Sequence, residues 1–287
     1  MSLQRGSVAS YFTAVGSPSK TTTQTHHANP RRTTKELAMA KRILITGAGS
    51  GFGRLAAFEL ADRGHTVFAT TETAAQADAL AAERPDITAM KLDVTNAADV
   101  AQAATLYLDV LINNAGVGVL GPMATVPLDK VRLSFEVNVI AMVAMCQAVI
   151  PGMLERGSGR IINVSSIAGV LASPQGSPYC MTKHAVEAFT KSLRGELAPH
   201  GIDVTKVNPG PYNTGFNDRM VNAIPQYIAE GDTAARETQA MVAGFVLSNQ
   251  LDPGEVARAL ADLSEADETP PELFLPEGIR DALAALL

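Results

Sequence analysis

The chain has 287 residues, 46% hydrophobic and 18% charged, with a net charge of −6. That apolar content excludes disorder of the whole chain, and having only two cysteines, Cys146 and Cys180, excludes a disulfide scaffold or a self-contained zinc site. Residues 1–42 carry +6, with Glu36 as their one acid, so the remainder carries −12; such an acidic body argues against a nucleic-acid surface and suits a cytoplasmic enzyme of small molecules.

Residues 1–38 are rich in Ser, Thr, Gln, Gly and Pro and hold no hydrophobic period. They read as a flexible tail. Their basic, acid-poor composition also fits an organelle transit peptide, and Met39-Ala40-Lys41-Arg42 would be a natural opening if the start is over-extended.

Residues 39–287 read as one domain. Ile43-Leu44-Ile45 is a short apolar strand entering a Gly-rich turn, followed by a helix through Leu55, Phe58 and Leu60. A strand over Thr66–Thr70, a helix over Ala74–Glu83 and a strand over Ile87–Leu92 come next. A helix near Ala97–Leu106 precedes a fourth strand, Asp109–Ile112. A long helix is expected from Leu128 to Glu155, then a strand Gly159–Val164, a helix Pro178–Ala198 and a sixth strand Ile202–Val207. Short apolar strands separated by helices call for a parallel sheet covered on both faces, an α/β doubly wound Rossmann domain. No membrane span is expected, because the most apolar stretch, Val137–Leu154, is broken by Asn138, Gln147 and Pro151.

Thr46-Gly47-Ala48-Gly49-Ser50-Gly51-Phe52-Gly53 lies between the first strand and the first helix. Glycines there permit a tight turn, and the helix start offers unpaired N–H groups to a pyrophosphate. The fourth strand ends in Asn113-Asn114-Ala115-Gly116, at the edge where ligands of such sheets lie. A polar turn would also explain those amides. Tyr179 and Lys183 sit four apart at the start of a helix and share one face. A phenol is a poor base at neutral pH, and an adjacent ammonium would lower its pKa. YxxxK recurs often by chance, so alone the pair reads first as an interfacial Tyr and a solvated Lys. Ser165-Ser166 end the fifth strand, where a hydroxyl can polarise a substrate oxygen or simply make a turn. Asn138, amid apolar neighbours, is either helix glue or an anchor for a water.

Together these segments resemble the short-chain dehydrogenase/reductase family. TGAGSGFG, NNAG, Asn138, GRIINVSSIAG, YCMTK and NPGPYNT stand in the family's order and approximate spacing across residues 41–215. The resemblance implies Tyr179 as general acid/base and Lys183 as its tuning partner and ribose ligand. It implies Ser166, rather than Ser165, as the holder of the substrate oxygen, and Asn138 as the anchor of a water in a proton relay. Gly47, Ser50, Gly51 and Gly53 would line the pyrophosphate turn. Asp93 would sit beside the adenine, and Asn114, Ala115 and Gly116 beside its ribose. Pro209, Gly210 and Thr214 would flank the nicotinamide. The implied reaction passes hydride between nicotinamide and a secondary alcohol or ketone and needs no metal.

The cofactor is NAD or NADP. The family's acidic NAD determinant at the end of the second strand is replaced by Thr71, while Glu72 and Ser50 stand where NADP users carry cations. This leans to NAD, although Arg54 or a tail cation remains within reach of a 2′-phosphate. Residues 270–278, PPELFLPEG, resemble the steroid and retinol dehydrogenase subset, many of which prefer NADP, so the two signals disagree. A lid is expected near 211–250, where Phe216, Met220, Ile224, Tyr227, Met241 and Phe245 form either an apolar substrate wall or plain helix packing. Apolar and small residues on the two long helices imply a homodimer or homotetramer. The rival readings are a catalytically silent dinucleotide-binding sensor or scaffold and a related epimerase or dehydratase.

Overall fold

The computed structural model describes residues 40–248 and 250–284; the expected tail, 1–38, lies outside the described residues. Seven strands form one sheet: β1 Arg42–Ile45, β2 Thr66–Thr71, β3 Thr88–Lys91, β4 Val110–Asn113, β5 Gly159–Val164, β6 Ile202–Pro209 and β7 Leu273–Leu275. They run in the order β3-β2-β1-β4-β5-β6-β7, and every pairing is parallel. The helices are α1 Gly51–Asp62, α2 Ala74–Glu83, α3 Ala97–Ala103, α4 Leu128–Phe135, α5 Ala141–Arg156, α6 Ser177–Leu197, α7 Phe216–Asn222, α8 Thr233–Leu247, α9 Gly254–Glu265 and α10 Ile279–Ala284.

The period-2 pleat divides each strand between two cores. Ile43 and Ile45 pack with Ala56 and Leu60 of α1 and with Val256 and Leu260 of α9. Leu44, Leu111 and Ile161 face the other way, onto Met145 and Met153 of α5 and Leu193 of α6. Burying each Leu or Ile side chain contributes about 1.5–3 kcal/mol, which makes this apolar alternation the main force holding helices to both faces. Strand order reverses between β1 and β4, so the glycine turn after β1 and the Asn114 turn after β4 open onto a common crevice at the carboxyl rim.

Several expected elements differ from the fold. The expected long helix is three pieces, because residues Glu136–Ile140 form a π turn between α4 and α5. A π turn inserts one extra residue per turn and rotates the side chains that follow, here at Asn138. The composite span Leu128–Arg156 contains an 18-residue window of mean hydropathy 1.9, by length and composition alone apolar enough to cross a bilayer. The sequence expectation was that this stretch falls short. In the fold its Met142, Met145, Cys146, Val149 and Met153 are buried, most of them against the sheet. The helix after β3 stops at Ala103 rather than Leu106, and β6 continues to Pro209. Strand β7 and helix α9 were not expected. β7 is three residues bracketed by prolines, and only its pairing with β6, Val207 to Leu273, reveals it. Helix α9 has a clear apolar period and packs along α1.

Candidate active site

The glycine turn is shaped by close approach. Gly47 and Gly51 have φ of +69° and +57°, a region side chains rarely enter. A Cβ at Gly53 would stand 2.5 Å from Asn114 Nδ2 and 2.5 Å from the Gly47 carbonyl oxygen. Two hydrogen-bonding side chains lock this turn to the end of β4. Thr46 Oγ1 accepts from the amides of Asn114 and Ala115 at 2.9 and 3.0 Å. Asn114 Nδ2 donates to the carbonyls of Thr46 and Gly47 at 2.8 and 3.2 Å. Asn114 therefore braces the turn, in addition to the ribose contact the resemblance implies. Thr46 was missed as a site residue; its signal was a hydroxyl immediately before the first glycine. Ser50 stands at the N-terminus of α1 without a side-chain capping bond.

At the next strand end, Thr71 is buried and its hydroxyl donates to the Thr73 carbonyl at 3.0 Å. Glu72 is exposed beside it. Asp93 Oδ1 accepts from the amide and hydroxyl of Thr95 at 2.9 and 2.7 Å.

The proton-transfer group lies across the crevice. Pro178 in the first turn starts α6, a place where a missing N–H costs nothing. Tyr179 and Lys183 follow on its buried face, at 9% and 6% exposure. Lys183 Nζ donates to the Val164 carbonyl at 2.9 Å and stands 5.7 Å from the Tyr179 ring centre. Burial pushes Lys183 down to about 8, opposed by Glu187. Burial also pushes the Tyr179 phenol up, opposed by a hydrogen bond with Ser166. Ser166 is thus a second group, beside the expected Lys183, placed to favour the phenolate. Ser166 Oγ accepts from the Ala168 amide at 3.1 Å, while Ser165 Oγ is turned to Glu187.

The Asn138 side chain is held by protein groups. Its Oδ1 accepts from the Val117 amide at 2.8 Å, and its Nδ2 donates to the Val117 carbonyl at 2.8 Å and to Thr182 Oγ1 at 3.0 Å. It thus ties the chain after β4 to α6.

One cavity of about 1340 Å³ joins these parts. Gly47, Ser50, Gly51, Thr71, Asp93, Asn114, Ala115, Gly116, Pro209, Gly210 and Thr214 line it together with Ser166, Tyr179 and Lys183. Gly53 and Asn138 lie behind its wall rather than on it. Of the expected apolar wall, Phe216, Met220, Met241 and Phe245 line the cavity, whereas Ile224 and Tyr227 do not. The residues fit a dinucleotide. Gly47, Gly51 and Gly53 let the turn pack closely on Ala115, Thr214 and Asn114, the start of α1 presents backbone amides to an anion, and Asp93 with Asn114 offers polar groups further along the rim.

Comparison with known proteins agrees with this geometry. A family model described as short chain dehydrogenase matches residues 41–224. The 3-ketodihydrosphingosine reductase of Bacteroides thetaiotaomicron is 38% identical over 61% of this chain and 65% of its own length, just under two thirds of that relative. An uncharacterized oxidoreductase of Bacillus subtilis is 37% identical over 79% of this chain and 85% of its own. Among solved structures, an actinorhodin polyketide ketoreductase with NADPH superposes with a TM-score of 0.71 at 28% identity, covering 84% of this chain and 97% of that one.

Proposed function

Because this chain belongs to the short-chain dehydrogenase family, we propose that its cavity binds a nicotinamide dinucleotide and interconverts a secondary alcohol and a ketone. The observation that carries this reading is convergence: Ser166, Tyr179 and Lys183 line the same cavity as the glycine turn of α1. The nicotinamide, when bound, supplies or accepts the hydride. This chain supplies the rest. Ser166 holds the substrate oxygen, and Tyr179 gives or takes the matching proton. The Tyr179 phenol is protonated at neutral pH and can give its proton to a ketone oxygen, with the Ser166 hydrogen bond and the Lys183 charge favouring the phenolate left behind. Lys183, fixed on the Val164 carbonyl, holds a positive charge beside the ring below pH 8 or so. Asn138 acts as a brace for Val117 and Thr182, and its relay role remains part of this proposal rather than of the geometry.

The substrate end is apolar. Leu120, Leu171, Phe216, Met220, Met241 and Val242 line it, which supports a hydrophobic ketone. The named reductase and ketoreductase relatives act on ketones by their names, in keeping with that class. For the cofactor we favour NAD. Among the described residues lining the cavity, the cations are Lys183 and Arg219, and neither belongs to the Ser50, Thr71, Glu72 and Gln76 end. Arg54 is engaged with Glu83. The ketoreductase neighbour carries NADPH, so the preference is a property to be measured on this chain. A cytoplasmic setting suits two buried, unpaired cysteines. Exposed Leu128, Leu133, Ile140 and Met181 on α4, the π turn and α6 support a homodimer or homotetramer.

The test is Tyr179→Phe, assayed against a panel of ketones and alcohols by reduced-nicotinamide absorbance and, separately, for cofactor affinity. Turnover should fall at least a hundredfold, the usual scale of one acid/base group, with cofactor affinity nearly unchanged. Wild-type turnover in that variant refutes the assignment.

A further inference from the structure

Helix α6 carries a third group in register with the pair. Tyr179, Lys183 and Glu187 are each four residues apart, so their side chains stack along one stripe of the helix. Glu187 is no surface acid: its side chain is 15% exposed. Its Oε1 accepts from Ser165 Oγ and from Asn208 Nδ2, the latter at 2.7 Å. Its Oε2 pairs with Lys206 Nζ at 2.9 Å. The turn that follows Ser166 lies directly on it, since a Cβ at Gly169 would stand 2.8 Å from Glu187 Oε1. Asn208 Nδ2 also donates to the Ser166 carbonyl at 3.1 Å. The carboxylate therefore grips both serines' segment, one directly and one through Asn208.

We propose that Glu187 is a positioning residue for the reaction, a buried carboxylate that fixes the Ser166 segment against α6 and holds the neighbouring Lys183 ammonium in its charged form. It acts through other groups and does not line the cavity. The groups that face Lys183 are Tyr179 and Glu187 on α6 and the Val164 carbonyl on β5. Of these, Glu187 brings the negative charge. That charge is itself shared. Lys206 on β6 pairs with Glu187 and also with Glu272 at 3.1 Å, and Glu272 pairs with Arg280 on α10 at 2.8 Å. The chain of charges sets how much of the Glu187 field reaches Lys183. Removing Glu187 must ease deprotonation of Lys183, and removing Lys206 must resist it.

This inference rests on reading Tyr179 and Lys183 as the proton-transfer pair, and its test is independent of turnover. Lysine side chains are labelled with carbon-13 at Cε, and the Lys183 resonance is identified by its loss in Lys183→Arg. Its titration is then followed in the cofactor-free protein. In Glu187→Gln the midpoint should fall by about one unit, the low end of what a neighbouring opposite charge produces. Gln keeps an oxygen for Ser165 and Asn208. In Lys206→Met the midpoint should rise. If Glu187→Gln does not fold, Lys206→Met decides alone. Opposite shifts establish the role; unmoved midpoints, with only a lower melting temperature, overturn it. Failure of the functional reading shows elsewhere, as undiminished turnover in Tyr179→Phe.

Discussion

Gly53→Ala probes whether the cofactor cradle depends on backbone contact. The added Cβ meets the Gly47 carbonyl oxygen and Asn114 Nδ2, both at 2.5 Å, and the Gly47 carbonyl carbon at 3.0 Å. The carbonyl is backbone and cannot swing aside, so the turn shifts or Asn114 leaves. If Asn114 leaves, its bonds to Thr46 and Gly47 go with it, about 1 kcal/mol each. Overpacking adds roughly 1–3 kcal/mol. The gain in helix propensity returns at most about 1 kcal/mol. The net loss is about 2–4 kcal/mol, which lowers the melting temperature by roughly 4–16 °C in a domain of this size. Gly195→Ala is the control. Gly195 lies within α6 with nothing within 4 Å of its Cβ position, so only propensity acts and the melting temperature should rise slightly. Thermal denaturation by circular dichroism gives the stabilities, and calorimetric titration with NADH and NADPH gives affinity. A Gly53→Ala protein that melts with wild type and binds cofactor equally well refutes the close-contact account.

Two further outcomes follow from charge. Lys183 is pushed down to about 8 in the fold against 10.5 for a free lysine, so between those values the unfolded chain holds the extra proton. Stability should therefore climb with pH from about 8 towards 10, by up to about 1.4 kcal/mol per unit, and urea melts of Lys183→Met should lack that climb; equal slopes in both proteins contradict the burial argument. Above pH 10 the raised Tyr179 phenol acts oppositely, because the unfolded chain then loses a proton that the fold keeps. Glu72→Arg places a cation beside Thr71, where a 2′-phosphate would lie, and should move the NADPH/NADH affinity ratio at least tenfold towards NADPH, read by fluorescence titration. An unchanged ratio removes Glu72 from cofactor choice.

The sheet was legible because burial on both faces leaves a pattern that survives without neighbours: four-to-six-residue apolar runs with helices between. β7 was illegible for the same reason. Leu273–Leu275 is too short to show a period, and its existence depends on β6 presenting a free edge. The site residues were legible where chemistry demands a type at a spacing, as with the glycine turn and the Tyr179–Lys183 pair. What could not be read was direction. Asn138 carries the right residue type, yet the π turn aims its amide at Val117 and Thr182, behind the cavity wall. Glu187 lies among residues of unremarkable type, and only the packing of α6 on β6 gives it partners, whereas Thr46 stands against the glycine run and takes its partners from the pairing of β1 with β4.

The buried face of α6 shows how the site holds its shape. A helix that packs against a sheet gains most from apolar side chains, yet this face carries Tyr179, Thr182, Lys183 and Thr190, all buried, with Glu187 beside them. Each unpaired polar group there would cost about 1–3 kcal/mol or more. Four of them find partners outside α6: Lys183 on β5, Glu187 on β6 and the Ser165 turn, Thr182 on Asn138, and Thr190 on Asn163 of β5, which in turn accepts from Asn113 of β4. These bonds form only if α6 keeps one rotation and one height against the sheet, because a shift by one residue would break all of them together. The polar stripe therefore specifies the register that aims Tyr179 and Lys183 into the crevice, and the apolar cores on either side supply the stability that offsets its desolvation.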